Sequence, residues 1–138
     1  MIGNLLETKT MQILEKALDA TSQRHNVISN NIANVDTPGF KRTDVLFEDQ
    51  LKKALNTDSI EGNRTDSRHI SIGKQDLGEI KPNMVTDEST SYRIDGNNVD
   101  IDNEMAKLAK NQLMYDALAQ KISSEFSKMR YVISDGRR

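Results

Sequence analysis

The chain has 138 residues, 19 of them Lys or Arg and 21 Asp or Glu, for a net charge of −2; such a balance offers no basic field for a nucleic acid. With 36% hydrophobic and 4% aromatic residues, no tryptophan and a mean hydropathy of −0.66, it reads as one elongated domain with a lean core and part of its apolar surface reserved for partners. The absence of cysteine excludes disulfides and thiolate metal sites.

The first residues, MIGNLLETKTMQILEKAL, lack the basic start and unbroken apolar run of a secretory signal. No stretch approaches the roughly 18 apolar residues of a membrane span. From Met11, the positions Leu14, Leu18, Thr21, His25, Ile28, Ile32 and Val35 follow at alternating steps of three and four, the a/d pattern of a helical seam. Glu15, Lys16, Asp19, Gln23 and Arg24 fall off that seam. The spacing predicts a helix from Leu5 or Thr8 to Asn34.

The helix pattern runs into NNIANVDTPGFKR, residues 30–42. Asparagine tolerates the left-handed helical region, so Asn30, Asn31 and Asn34 are expected to serve a helix C-terminus in that conformation. Pro38 pushes Thr37 out of the helical region, and Pro38-Gly39 suits the centre of a type II turn. Phe40 opens an extended run, FKRTDVLF, as a hydrophobic anchor. The motif holds no catalytic group; its logic is geometric, converting a helix into a strand at a fixed angle.

FEDQLKKALN, from Phe47, has the pattern of a short amphipathic helix. Beyond Asn56 the chain is polar and rich in Gly, Asn, Asp and Ser, without core-forming density. RHISIG (Arg68–Gly73) alternates as a short strand would, and MVTDESTSYRID (Met84–Asp95) is long enough to hold another before the Asp95-Gly96 turn. DGNNVDIDNE (Asp95–Glu104) puts Asp95 and Asn97 at the first and third positions of a calcium loop. Val99 then stands where the fifth needs an oxygen, and the sixth-position glycine is missing, so a turn with a helix cap is the better reading.

In the last third, Ile101, Met105, Leu108, Gln112, Tyr115, Ala119, Ile122, Phe126, Met129 and Ile133 keep the seam spacing for more than four heptads. Asp102 is the expected N-cap and Glu104 the first-turn acid favoured by the helix dipole. The helix is expected from Asn103 to Ser134, with Gly136 ending it before the Arg137-Arg138 tail. Neither terminal helix can satisfy its seam alone. The predicted fold is therefore mainly α: long N- and C-terminal helices pair as an antiparallel coiled coil, with a small extended, β-containing middle. The divisions are 1–34 for the first helix, 35–98 for the turn, short helix and polar insert, and 99–138 for the last helix.

Chemistry is not written into this chain. His25 and His69 stand alone, and H-E-x-x-H, Walker and G-x-G-x-x-G patterns are absent. No cofactor or metal is expected, and a structural or adaptor role is favoured over an enzyme.

The stretch NNIANxxTPGFKR closely resembles the N-terminal signature of the bacterial flagellar axial family, which comprises rod, hook and hook-associated proteins. The C-terminal NNVDIDNEMAKLAKNQLMYDALAQKIS is similar to the family's C-terminal region, with its N-x-V-D start, E-M pair and later tyrosine. Together they cover more than half of the chain. The short length and polar middle look most like the proximal rod members of FlgB type. KNQLMYDAL (Lys110–Leu118) departs from the A-x-R-x-Y-x-A-N pattern of the other short type, FlgC.

The resemblance implies a structural subunit of the basal-body rod that polymerises helically into the drive shaft carrying torque from motor to hook. It implies residence in the periplasmic rod after passage through the flagellar type III export apparatus without a cleaved signal. Its expected partners are further copies, FlgC-type and FlgF-type rod proteins, the adaptor FliE and the export gate, with neither nucleic acid nor membrane insertion. Residue by residue, it puts Asn30, Asn31, Ile32, Ala33, Asn34, Thr37, Pro38, Gly39, Phe40 and Lys41 in the family turn. Leu14, Leu18, Ile28, Ile32, Met105, Leu108, Tyr115, Ile122, Phe126 and Met129 fall to the helix seam and assembly. The alternatives are a FlgC-like rod protein or a cytosolic helical adaptor. An adaptor would be a compact, protease-resistant monomer; a rod subunit would keep its terminal helices loose until neighbours bury them.

Overall fold

A computed structural model of the chain describes residues 8–55, 80–88, 91 and 93–135. The expected RHISIG strand, His69, the alternative helix start at Leu5 and the Gly136 stop with its basic tail lie outside those residues. In chain order the elements are α1 (Lys9–Ala33), β1 (Thr43–Leu46), α2 (Glu48–Leu55), β2 (Asn83–Thr86) and α3 (Ile101–Asp135).

Helix α1 starts where the sequence offers a cap. Thr8 is extended (φ −68°, ψ 149°), and its side chain accepts the Met11 N–H at 3.3 Å, satisfying one of the free donors of the first turn. The short α2 carries Glu48 and Asp49 in its first turn and Lys52 and Lys53 in its last, each sign complementing the helix dipole at its end. Partial burial would raise the Glu48 carboxyl. The N–H of Glu48 itself and the Arg24 guanidinium more than offset this and hold it below the ordinary carboxylate value.

Helix α3 begins two residues earlier than the spacing predicts, and its N-cap is Asp100, not Asp102. The Asp100 carboxylate accepts the N–H groups of Asp102 at 3.0 Å and Asn103 at 3.4 Å, and its carbonyl accepts the Glu104 N–H. Capping prefers the acid whose side chain folds back over the first turn, worth about 1 kcal/mol. Asp102 is already inside the helix.

The two long helices run antiparallel. Asn31 near the end of α1 meets Glu104 at the start of α3, and Thr21 one coil back meets Asn111 further on. At 1.5 Å per residue the described α1 spans about 37 Å and α3 about 52 Å. Strands β1 and β2 pair antiparallel, Thr43 opposite Thr86 and Leu46 opposite Asn83, with β1 beside α1.

Beyond Asn56, where no core-forming density is expected, Ile80 is nonetheless buried. Phe47 (4% exposed), Ala54 and Ile80 close on Ala20 of α1, with Ala17 and Leu51 packed against them. A single apolar side chain in a polar stretch gives composition no density to register.

Candidate functional site

The most highly organised part of the molecule is the joint where α1 ends, the chain reverses through residues 34–42, and residues 93–100 return to start α3. A helix end leaves carbonyls without partners. Asn34 caps α1 in an ordinary conformation (φ −107°, ψ 16°), and among the described residues no non-glycine residue takes a positive φ. The expected left-handed asparagine is therefore corrected: these asparagines work through their side chains. The Asn34 amide donates to the Asn30 carbonyl at 2.8 Å and its side-chain oxygen at 3.1 Å, while Thr37 Oγ1 donates to Asn34 Oδ1. Side-chain bonding of this kind relieves the backbone of the need to turn left-handed.

The remaining carbonyls are met from the other end of the chain. Asn97 is fully buried (0% exposed), and its amide protons are shared among the carbonyls of Asn34, Val35 and Thr37 at 3.0, 3.0 and 2.9 Å. Its Oδ1 accepts the Val99 N–H at 2.7 Å. Arg93 adds contacts from its guanidinium to the Val35 carbonyl and the Asp36 carboxylate. Next to it, Asn98 accepts the Arg42 N–H at 2.7 Å and donates to the Asp87 carbonyl at 2.8 Å. It bridges the chain just before β1 to the chain just after β2.

The turn itself has Gly39 at φ +73°, and the Phe40 N–H returns to the Thr37 carbonyl at 3.3 Å, closing a four-residue turn over Pro38. The Gly39 N–H donates to the Asp95 carbonyl. Gly96, at φ +83°, brings the second turn so close that a Cβ there would lie 3.7 Å from the Gly39 Cα. At Gly39 an added Cβ would meet nothing within 4 Å, so the demand for glycine is purely conformational. Gly39→Val is expected to cost about 1–3 kcal/mol of strain, while Gly39→Asn, which tolerates that region, should cost markedly less. Thermal unfolding of the two variants checks this; equal losses would show that contact, not φ, governs the position.

Asn31 is buried at the same joint. Its amide copies a strand edge: Oδ1 accepts the Thr43 N–H at 3.0 Å and Nδ2 donates to the Thr43 carbonyl at 2.8 Å. Nδ2 also reaches Glu104 Oε2 at 2.9 Å. Lys107 joins Glu104 to Asp44 of β1, at 2.8 and 2.9 Å. Burial works against the Lys107 ammonium, but the hydrogen-bonded carboxylates of Glu104 and Asp44 overcome it and hold the group above the ordinary lysine value.

The other residues singled out by sequence are spread over two settings. Asn30, Ala33, Thr37 and Pro38 are exposed on the joint; Ile32, Phe40 and Lys41 are half-buried. On the helices Leu14, Thr21 and Ile28 are buried, and Leu18, Leu108, Ile122 and Met129 are half-buried. Met105, Tyr115 and Phe126 stand outward, as does His25. The contact between the helices uses Asn31, Glu104 and Asn111, each one residue ahead of a seam position that spacing selects, Ile32, Met105 and Gln112. Sequence reasoning missed Asn97, Asn98, Glu104 and Asn111 as structural residues. The available signal was the asparagine pair Asn97-Asn98, one residue removed from the helix-capping Asp100.

Two clefts flank the helix pair. One of about 240 Å³ lies between α1, β1 and α3 and is lined by Arg24, Val45, Lys107, Asn111 and Met114. The other, about 230 Å³, is lined by Ser22, His25, Gln112 and Tyr115. Among the described residues no three His, Cys, Asp or Glu side chains converge as metal ligands, and no helix is long and apolar enough to cross a membrane. The joint can hold and orient; it has no nucleophile beside a base.

Comparison with known proteins gives a consistent result. The family described as flagella basal body rod protein matches residues 11–41. The flagellar basal body rod protein FlgB of Bacillus subtilis is 38% identical over 128 residues, covering 93% of this chain and 95% of that protein. FlgB of Borreliella burgdorferi is also 38% identical, over 91% of this chain and 96% of its own length. FlgB of Escherichia coli is 30% identical over 91% and 94% respectively.

Proposed function

The chain belongs to the FlgB family of flagellar basal body rod proteins, and from that membership we propose that it polymerises helically as the proximal segment of the rod, carrying torque from motor to hook. It is a structural subunit of the basal-body rod, not an enzyme. The observation that carries the finer reading is the uncovered end of α3. Phe126 (51%), Tyr131 (68%), Val132 (69%) and Ile133 (58%) are exposed on the last turns of α3. Scattered apolar residues on a surface need no explanation, but a run of large ones on one helix end marks a contact surface.

Met105, Tyr115 and Phe126 then serve contacts between subunits. Leu14, Leu18, Ile28, Ile32, Leu108, Ile122 and Met129 serve the helix pair within one subunit. The turn from Asn30 to Lys41 sets the angle at which the β1–β2 unit leaves that pair. A helix end on one side and a joint on the other are different surfaces, and head-to-tail contacts between unlike surfaces build open polymers rather than closed rings. The finer location is the periplasmic rod, reached through the flagellar type III export gate without removal of a signal. The neighbours are further copies, the adaptor FliE, and FlgC-type and FlgF-type rod proteins.

The direct test is to isolate hook-basal bodies from detergent-lysed cells and combine mass spectrometry with subunit-resolved electron microscopy. The chain is expected in the membrane-proximal layer of the rod. A complete rod lacking it there overturns the proximal assignment.

A further inference from the structure

We propose that the Asn31–Glu104–Lys107–Asp44 cluster is a register lock, which selects one antiparallel alignment of α1 and α3 from several that the apolar seam alone permits. Seam positions recur at heptad spacing on both helices: Leu14, Thr21 and Ile28 are buried on α1, and Leu108, Ile122 and Met129 are half-buried on α3. Sliding one helix by a heptad, about 10 Å along its axis, returns seam positions to seam positions. Hydrophobic contact is non-directional and barely distinguishes these alignments. A buried polar group does distinguish them, because its partners must be in place.

Glu104 is such a group. It is 1% exposed and both its oxygens are engaged, Oε2 by Asn31 Nδ2 and Oε1 by Lys107 Nζ. Its partners are themselves tied down, Asn31 by both backbone groups of Thr43 and Lys107 by Asp44. The cluster therefore fixes α3 against α1 and β1 at one point. A heptad slip in one direction carries Glu104 past the end of α1. A slip in the other carries it towards Arg24, whose guanidinium is already bound to the Val45 carbonyl and Glu48. Either alignment takes Glu104 away from Asn31 and Lys107 away from Asp44, and leaves the carboxylate with Lys107 alone, which moves with it on the same helix. Asn111, whose Nδ2 donates to the Thr21 carbonyl at 2.9 Å, marks the same register seven residues further along α3.

The test needs only the purified full chain, so it stands or fails independently of the rod assignment. Because the sequence has no cysteine, spin labels go only where cysteines are introduced, at the exposed Gln23 and Gln120. Pulsed electron resonance on that labelled parent is expected to give one narrow distance. In Glu104→Leu/Lys107→Leu, helix content is expected to stay and a second distance to appear, displaced by up to about 10 Å. In Glu104→Gln, which keeps an oxygen for Asn31, the single distance is expected to persist. One unchanged narrow distance in the double variant overturns the lock. Unfolding of the double variant also overturns it, since the cluster would then supply stability rather than register. A second distance in Glu104→Gln would likewise count against it.

Discussion

Asn97→Leu is expected to be among the most destabilising single substitutions in this chain. Leucine has the same heavy-atom branching as asparagine, but a methyl cannot sit at the 2.9–3.0 Å that the amide nitrogen keeps from the carbonyl oxygens, so crowding adds to the loss of hydrogen bonds at a fully buried position. Three carbonyls at the end of α1 lose the amide that serves them, and the Val99 N–H loses its acceptor. Leaving a buried polar group unsatisfied costs about 1–3 kcal/mol. Each carbonyl retains another donor, Thr37 N–H for Asn34, Phe40 N–H for Thr37 and the Arg93 guanidinium for Val35, so the Val99 N–H is the group left unsatisfied. A total loss of about 3 kcal/mol, or a fall in Tm on the order of 10 °C, is the expected outcome in urea and thermal unfolding. Asn97→Asp, which keeps the acceptor but turns an oxygen towards the three carbonyls, should be at least as damaging. A loss below about 1 kcal/mol for both would mean that the joint is not held by this side chain.

That residue also shows where sequence reading stops. The antiparallel terminal helices, the short helix after Phe47 and the Pro38-Gly39 turn were all legible, because each depends on local rules: heptad spacing, a proline-fixed φ, a glycine at positive φ. Asn97 and Glu104 obey no local rule. Glu104 is a charged residue in a first helical turn, where the dipole argument sends it outward to solvent. Its burial follows from Asn31, 73 residues away. Periodicity chooses the most apolar line on a helix, whereas the fold buries the line that also satisfies neighbouring polar groups. On both helices that line lies one residue towards the N-terminus from part of the predicted seam. The asparagines of NNIANVDTPGFKR sit at the helix end, as the sequence suggests, but not in the left-handed conformation it suggests. Their amides, not their tolerance of positive φ, are what the joint uses.

The same displacement leaves Phe126 outside the intrachain contact, and this makes Phe126→Asp informative. In the isolated chain the ring is half-exposed, and an aspartate in its place stays hydrated. Surface substitutions of this kind change stability by about 0.5 kcal/mol or less, so Tm and helix content should match the parent. In an assembled rod a contact over that position must desolvate the carboxylate without a cation placed to receive it, at a cost of several kcal/mol. Since 1.4 kcal/mol is tenfold in an equilibrium constant, incorporation into basal bodies is expected to fall by at least about tenfold. Phe126→Leu, which restores apolar contact, should recover most of it. Normal incorporation of the aspartate variant would remove α3's outer face from the assembly contacts. A monomer destabilised in proportion to the lost incorporation would place Phe126 in the fold of the single subunit instead. An intact monomer that fails only to join the rod separates the two, because only an intersubunit contact leaves the free chain untouched.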